Sequence, residues 1–375
     1  MVRKQRLIKL IRELISIDSQ NPPGNEAKIG SFVQKILLGL GLKSRIYEFR
    51  PGRSNVVAVL KGKSSKHKLL LTPHLDTVPA GTSWKMPVFD GLIRKDKIYG
   101  LGATDCKGNL AAMLEALNSI TEDGLVFDYD IVIAATADEE SGSDLGLIPL
   151  IERKILKVHA ALVLDADDFE IVVTQKGLLH LKVRIRGKKA HGAYPWLGNN
   201  AIDMAVRVLA DLKTQKKKFA PDRYLHGPTV NIGTICGGDK VNVVADWCEF
   251  ELDFRFLPGT NEKALLKNLK NTLAKYSKKF SIEVQGIQAP YQIDTKHPLV
   301  SSLERAMKNL KIKPRISGSE GATVITFFQD QNIPAIATGF GKEGCAHIAD
   351  EYASLSSLAK GAEVLVEFLR NYKVH

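Results

Sequence analysis

Tyr129-Asp-Ile-Val-Ile-Ala-Ala-Thr136 runs directly into Ala137-Asp138-Glu139-Glu140-Ser141-Gly142. The apolar run at 131–135 is too short for a helix and lacks the alternation of a half-exposed strand. Residues 129–136 are therefore expected to form a strand buried on both faces, as in a sheet covered by helices. Its neighbours agree. Residues 55–60, 68–72 and 160–165 also read as short strands, while 109–120 and 145–153 carry helical patterns. Alternating strands and helices imply an α/β domain with a mixed, mostly parallel sheet sandwiched by helices. In such sheets ligands gather beyond the carboxyl ends of the strands. His74, Asp138-Glu139-Glu140 and Asp165 all stand just after predicted strands.

The pattern changes after Gly177. Strands are expected at 178–186, 229–235, 248–255 and 280–284, with helices at 199–212 and 262–276. That order, strand-helix-strand-strand-helix-strand, is a ferredoxin-like α+β unit. It is placed at 178–286, inserted into a first domain made of 1–177 plus 287–375. A helix at 298–310, a strand at 335–338 and a helix at 354–369 return the chain to that first domain.

Composition narrows the function. With 375 residues, 44% hydrophobic and 25% charged, the chain reads as an ordinary globular protein of two domains. No apolar stretch is long enough to span a bilayer. Leu7, Ile8, Ile11, Leu14 and Ile15 recur at helical spacing between charges, which suits a surface helix rather than a signal peptide. A cytoplasmic location is expected, with no membrane partner. Cys106, Cys236, Cys248 and Cys345 form no Cys-x-x-Cys pair and are expected as reduced thiols. The net charge is +12, yet the basic runs Lys188-Lys189, Lys216-Lys217-Lys218 and Lys278-Lys279 are short and lack interleaved aromatics. They read as solvated surface, and no nucleic-acid partner is expected.

Three stretches carry chemistry. His74-Leu75-Asp76 can turn an imidazole and a carboxylate to one side of a strand end, or can be an ordinary polar pair. Gly100-Leu-Gly102-Ala-Thr-Asp105-Cys-Lys-Gly108 precedes a helix and lacks the Gly-Lys-Ser/Thr ending of a phosphate loop. Asp105 there is either a cation ligand, able to bridge two ions, or a helix cap. Asp138-Glu139-Glu140 packs carboxylates at one strand end, where they repel unless protons or metal neutralise them; a solvated acidic turn is the alternative. Asp165 closes a fourth apolar run, and Cys345-Ala-His347 lies in a glycine-rich loop. Nitrogen and oxygen donors without thiolates favour zinc, with cobalt or manganese as substitutes. Serine-triad chemistry finds no Gly-x-Ser-x-Gly elbow.

Taken together, the runs 71–79, 99–108 and 138–142 resemble those of the M20 metallopeptidase family. The similarity continues through Gly187-Lys-Lys-Ala-His191, Gly237-Gly238, Asn242, Leu252-Asp-Phe-Arg255 and His347-Ile-Ala-Asp350-Glu351. The family includes acetylornithine deacetylase, succinyl-diaminopimelate desuccinylase, aminoacylase and glutamate carboxypeptidase. The resemblance implies two divalent metal ions per chain, His74 and Asp165 on one, Glu140 and His347 on the other, with Asp105 between them. It implies Glu139 as general base, Asp76 as the partner of His74, and a cis peptide between Asp105 and Cys106. His191 would stabilise an oxyanion, and Asn242 and Arg255 would bind a substrate carboxylate, an ordinary salt bridge being the alternative for Arg255. The inserted domain would mediate dimerisation or act as a lid in a homodimer. The reaction would be removal of an acyl group from an N-acyl amino acid, or cleavage of a short peptide.

The chain departs from the family in places. Many members carry Glu where Asp165 stands, although dipeptidase-like members often have Asp. Methionine is usual where Cys106 stands. Ser319-Glu320-Gly321 is similar to the Thr-Glu of some acetylornithine deacetylases and tilts the reading toward them.

Overall fold

In the computed structural model of the chain, the apolar run becomes the strand Asp130–Ala135, with every residue buried. The structure describes residues 1–215 and 219–373, so the run Lys216-Lys217-Lys218 lies outside the described residues. The chain divides into two compact units. The first comprises Met1–Val173, Ile293–Ser317 and Phe327–His375; the second comprises Thr174–Gln292 and Gly318–Thr326.

A mixed sheet organises the first unit. From one edge its strands run Lys43–Glu48, Ser54–Leu60, Asp130–Ala135, Lys68–Thr72, Ala160–Val163, Ala335–Ala337 and Glu170–Gln175. The four central strands are parallel, with Leu70 opposite Val132 on one side and Ala161 on the other, and Ile336 opposite Leu162. The flanking strands are antiparallel. Parallel strands at the centre must be buried on both faces, which is why they are short and apolar apart from Lys68, Thr72 and Asp130 at their ends. The helix Lys107–Glu122 buries nearly its whole length and packs against Leu355–Asn371 and Lys4–Ile15. Lys4–Ile15 turns Leu7, Leu10, Ile11, Leu14 and Ile15 inward, and Arg6 forks onto the buried carboxylate of Glu115 at 2.6 and 2.9 Å. Each such apolar side chain contributes roughly 1.5–3 kcal/mol by leaving water.

The second unit holds a four-stranded antiparallel sheet in the order Thr229–Gly237, Trp247–Phe256, Gly177–Arg186, Phe280–Gln288. Trp247–Phe256 alternates between buried and partly exposed residues along its length. Its inward residues Cys248, Phe250, Leu252, Phe254 and Phe256 join the core under the helices Ala201–Thr214 and Glu262–Tyr276. Asn200 and Asn261 cap those helices with their side-chain oxygens. The strand order is that of a ferredoxin-like unit. Gly318–Thr326, which the sequence reading placed in the first domain, clusters with this unit. There Lys176, its side chain buried, pairs with Glu320 and donates to the carbonyl of Gly227 at 2.7 Å.

The four cysteines are free thiols. Among the described residues no helix is long and apolar enough to cross a membrane.

Candidate metal centre

Each central parallel strand delivers a polar residue at its carboxyl end. His74 follows Lys68–Thr72, Glu139 and Glu140 follow Asp130–Ala135, and Asp165 follows Ala160–Val163. His347 stands in the loop after Ala335–Ala337, and Asp105 opens the helix Lys107–Glu122. Because parallel strands end on one side of the sheet, six residues far apart in sequence converge there.

Asp105 stands in the middle. Its Oδ1 lies 2.8 Å from His74 Nε2, and its Oδ2 lies 3.1 Å from His347 Nε2. His347 Nε2 also lies 3.1 Å from Glu140 Oε2, and His74 Nε2 lies 3.8 Å from Asp165 Oδ1. Two groups emerge whose donor atoms all fall within 4.8 Å of one another: His74, Glu139 and Asp165, and Asp105, Glu140 and His347. His74, Asp105 and Cys106 also meet that spacing. The Cys106 sulfur, however, accepts from the His74 amide and donates to its carbonyl. Burial pushes the Cys106 thiol up to about 12, so it remains a neutral thiol there. The peptide between Asp105 and Cys106 is cis, as the resemblance implies.

Four carboxylates and two imidazoles in one pocket shape each other's protonation. Burial, then the charges of Asp165 and its neighbours, hold the Glu139 carboxyl well above its ordinary range. Burial raises Glu140 as well. Hydrogen bonds to Asp105 and Glu140 push His347 up to about 10. Burial opposes ionisation of Asp105, but the hydrogen bonds and charges of His347 and His74 outweigh it and depress its pKa. This is the electrostatic signature of a place that needs cations.

The supporting contacts reach beyond the residues picked out by sequence. The ring Nδ1 of His74 lies 2.9 Å from the backbone carbonyl of Asp76 and 3.6 Å from its carboxylate. That carboxylate is aimed mainly at the next strand end: it accepts from the amides of Glu139 and Glu140, both at 3.1 Å, and from Asn21 Nδ2 at 2.9 Å. Glu351 performs the equivalent task for Asp105. Its buried carboxylate accepts from the amides of Gly102, Thr104 and Asp105 at 2.8, 2.7 and 3.0 Å. Asp350 takes the amides of Lys85 and Met86. The motif around His347 contained Glu351, but its loop-gripping role has no local sequence signal. Asn21, Glu26 and Arg53 lie outside the motif runs 71–79, 99–108 and 138–142.

His191, Asn242 and Arg255 belong to the second unit. The loops bearing His191 and Asn242 touch, with the Gly192 amide donating to the Asn242 carbonyl at 2.8 Å. His191 Nδ1 accepts from the Ala193 amide at 3.0 Å, which leaves Nε2 free of that bond. Arg255 is elsewhere. It sits eight residues along the strand from Trp247, roughly 27 Å at strand rise, and pairs with Asp253 at 2.9 Å. The structure therefore joins His191 with Asn242, and places Arg255 at the far end of the strand that begins at Trp247.

A sequence model of peptidase family M20/M25/M40 matches residues 70–371. The chain belongs to that family. As a member of family M20 it is a metal-dependent hydrolase. It is 28% identical to a succinyl-diaminopimelate desuccinylase of Orientia tsutsugamushi (strain Boryong) over 375 residues, covering 96% of this chain and 94% of the relative. It is 27% identical to an acetylornithine deacetylase of Proteus mirabilis (strain HI4320), covering 99% and 98%. Among solved structures it superposes on a tripeptidase from Staphylococcus aureus subsp. aureus Mu50 with a TM-score of 0.84 at 26% identity, covering 99% and 98%. These matches run nearly end to end, so both units belong to the M20 architecture.

Proposed function

We propose that the chain removes an acyl group from an N-acyl amino acid, in the manner of acetylornithine deacetylase or succinyl-diaminopimelate desuccinylase, using two divalent metal ions. The observation that carries this reading is Asp105, whose two oxygens face two separate histidine-carboxylate groups. The donors fit such ions. Ligands about 2.0–2.2 Å from a tetrahedral zinc stand roughly 3.3–3.6 Å apart, and the nearest donor atoms here lie 2.8 to 3.8 Å apart. His74 and Asp165 would hold one ion, Glu140 and His347 the other, and Asp105 both. All donors are nitrogen or oxygen, which favours zinc, with cobalt or manganese as substitutes.

When bound, such ions polarise an amide carbonyl and lower the pKa of water. The chain's own residues then carry the protons. Glu139 accepts the proton of the attacking water and returns it to the leaving amine. His191 donates from Nε2 to the oxyanion, a contact of a class worth about 3–4 kcal/mol. Asn242 and Arg255 bind the substrate carboxylate.

The second unit supports a homodimer in this reading. His191 and Asn242 lie near one end of its sheet and Arg255 toward the other, too far apart for one copy to place all three on a molecule of amino-acid size. Two copies related by a two-fold axis remove that conflict, with His191 reaching the partner's metal centre. A metallo-dipeptidase or carboxypeptidase is the second reading, favoured by the likeness to the tripeptidase. The discriminating experiment screens zinc-, cobalt- and manganese-loaded protein against acetylornithine, succinyl-diaminopimelate, N-acetyl amino acids and dipeptides. Fastest turnover of an acylated amino acid, two ions per chain and loss of activity to chelators are expected. Preference for dipeptides shifts the assignment to a peptidase, and fewer than two ions at saturation refutes the paired site. Mixing His191→Ala with Glu139→Gln protein tests the dimer: recovered activity is expected, and exchange of subunits without recovery refutes action across the interface.

A further inference from the structure

The turn that carries Glu139 and Glu140 begins at Asp138, whose backbone is left-handed with φ 65°. An aspartate tolerates that conformation but does not enforce it. The enforcement comes from its side chain. Asp138 Oδ2 accepts from the Leu145 amide at 2.9 Å, and Oδ1 accepts from Arg53 Nη2 at 2.7 Å and Asn21 Nδ2 at 3.3 Å. Arg53 also forks onto Glu26 at 2.7 and 2.9 Å. The side chains of Arg53, Glu26 and Asp138 are 5%, 0% and 6% exposed. Asn21 reaches the other way to Asp76, which grips the amides of Glu139 and Glu140. The loop at 21–24 closes tightly over the guanidinium: a Cβ on Gly24 would stand 2.3 Å from Arg53 Cζ. One cation thus serves two buried carboxylates directly, and Asn21 connects it to the third.

We propose that Arg53 is a positioning residue for Glu139 and Glu140, acting through Asp138 and through the Asn21–Asp76 link to fix the turn on which both glutamates stand. The inference rests on the roles given to those glutamates above. Without the guanidinium fork, Glu26 and Asp138 become buried anions without their cation, and the turn loses the charged one of the three side-chain contacts that hold its first residue. Lysine cannot substitute, because one ammonium cannot reproduce the planar fork on two carboxylates. A mere anchor would lower stability and leave the molecules that fold with normal metal uptake and turnover.

The test compares Arg53→Lys and Asn21→Ala with wild type in three measurements: thermal melting, titration of metal-free protein with cobalt, and kcat and KM on whichever substrate the screen identifies. Both variants are expected to fold. One cobalt step, that of the Glu140 group, should weaken roughly tenfold or more, as happens when partners of metal ligands are lost. The other step should hold. At saturating metal, kcat should fall about 10- to 100-fold with KM within about twofold, the mark of a displaced base rather than lost binding. Wild-type cobalt steps and wild-type kcat in the folded variants overturn the proposal. Should Arg53→Lys fail to fold, the double variant Arg53→Met with Glu26→Gln, which removes the cation together with the buried anion it forks onto, decides by the same two readouts. Failure of the two-metal reading looks different, since wild type itself would then take up fewer than two ions.

Discussion

Replacing Asp76 with asparagine removes one charge and no volume, and its cost can be worked from the contacts. The buried carboxylate receives three donors: the partly buried Glu139 N–H on Oδ1, and the partly buried Glu140 N–H with the buried Asn21 Nδ2 on Oδ2. The amide oxygen does best in the Oδ2 position, keeping two of them. Its NH2 then faces the Glu139 amide, donor against donor. One orphaned buried donor costs about 1–3 kcal/mol, and the two surviving bonds lose charge assistance worth about 1 kcal/mol each. The sum, roughly 3–5 kcal/mol, is a large share of a stability of about 5–15 kcal/mol. In urea, with a slope near 3 kcal/mol/M, the midpoint of the metal-free protein should fall by roughly 1 M or more at unchanged slope. The pH dependence has a definite sign. Burial opposes ionisation of Asp76, but the nearby His74 and the hydrogen bonds from Asn21 and the Glu140 amide outweigh it, so its folded pKa is depressed. The stabilisation is therefore present above the unfolded value near 3.9 and lost as pH falls through the folded value, so the two proteins converge only in acid. His74 should keep its orientation, because the backbone carbonyl of residue 76 survives the change. A folded Asp76→Asn protein with an unmoved midpoint at pH 7 refutes this account of the carboxylate.

On the proposed assignment, in which His74 and Asp165 hold the first ion and Glu139 is the general base, Glu139→Gln should keep both metal ions and lose about 10²- to 10⁴-fold in kcat; turnover near wild type refutes that role. His74→Ala should instead lose metal, read by metal analysis after dialysis, because its ring supplies a donor to the first group. Away from the centre, burial and then the nearby His159 depress the pKa of His67, which shares a hydrogen bond with Tyr372 at 3.1 Å. Its contribution is full above the unfolded value near 6.5 and is lost as pH falls from there through the depressed folded value, so His67→Asn should flatten the stability profile below about pH 6.5; identical profiles in urea refute it.

Much of the fold could be read from apolar periodicity. Residues 68–72 and 262–276 were expected with the bounds that Lys68–Thr72 and Glu262–Tyr276 have. Long amphipathic helices and fully buried strands leave strong patterns. The strand Lys43–Glu48 went unread because it is an edge strand with three charged residues and mixed exposure, and Ala27–Gly39 because it has few polar interruptions and no side-chain cap. At the site, residue types and spacing mark the six residues that the structure brings together as a candidate metal centre, since carboxylates and imidazoles behind apolar strands are chemically conspicuous. Arg53, Glu26 and Asn21 were invisible for the opposite reason. Their meaning lies in contacts spanning 27 to 117 positions, and an arginine or asparagine in a loop looks like solvated surface until the fold closes over it. Asp76 shows the intermediate case: its importance was legible, but the direction its carboxylate faces was set by a strand end more than sixty residues away.

The strand Ala335–Ala337 lies between Ala160–Val163 and Glu170–Gln175, two strands that leave the ribosome more than 150 residues earlier. During synthesis the first unit's sheet therefore waits with a gap beside Ala160–Val163, its hydrogen-bonding groups and apolar surface open. The uninterrupted stretch Thr174–Gln292 can meanwhile assemble its own antiparallel sheet. The middle of the chain can therefore pair its strands before the sheet begun by the first residues is complete. The nascent protein passes through a period in which an unpaired, apolar sheet edge is exposed, and chaperone capture or aggregation competes with completion until residue 337 has emerged.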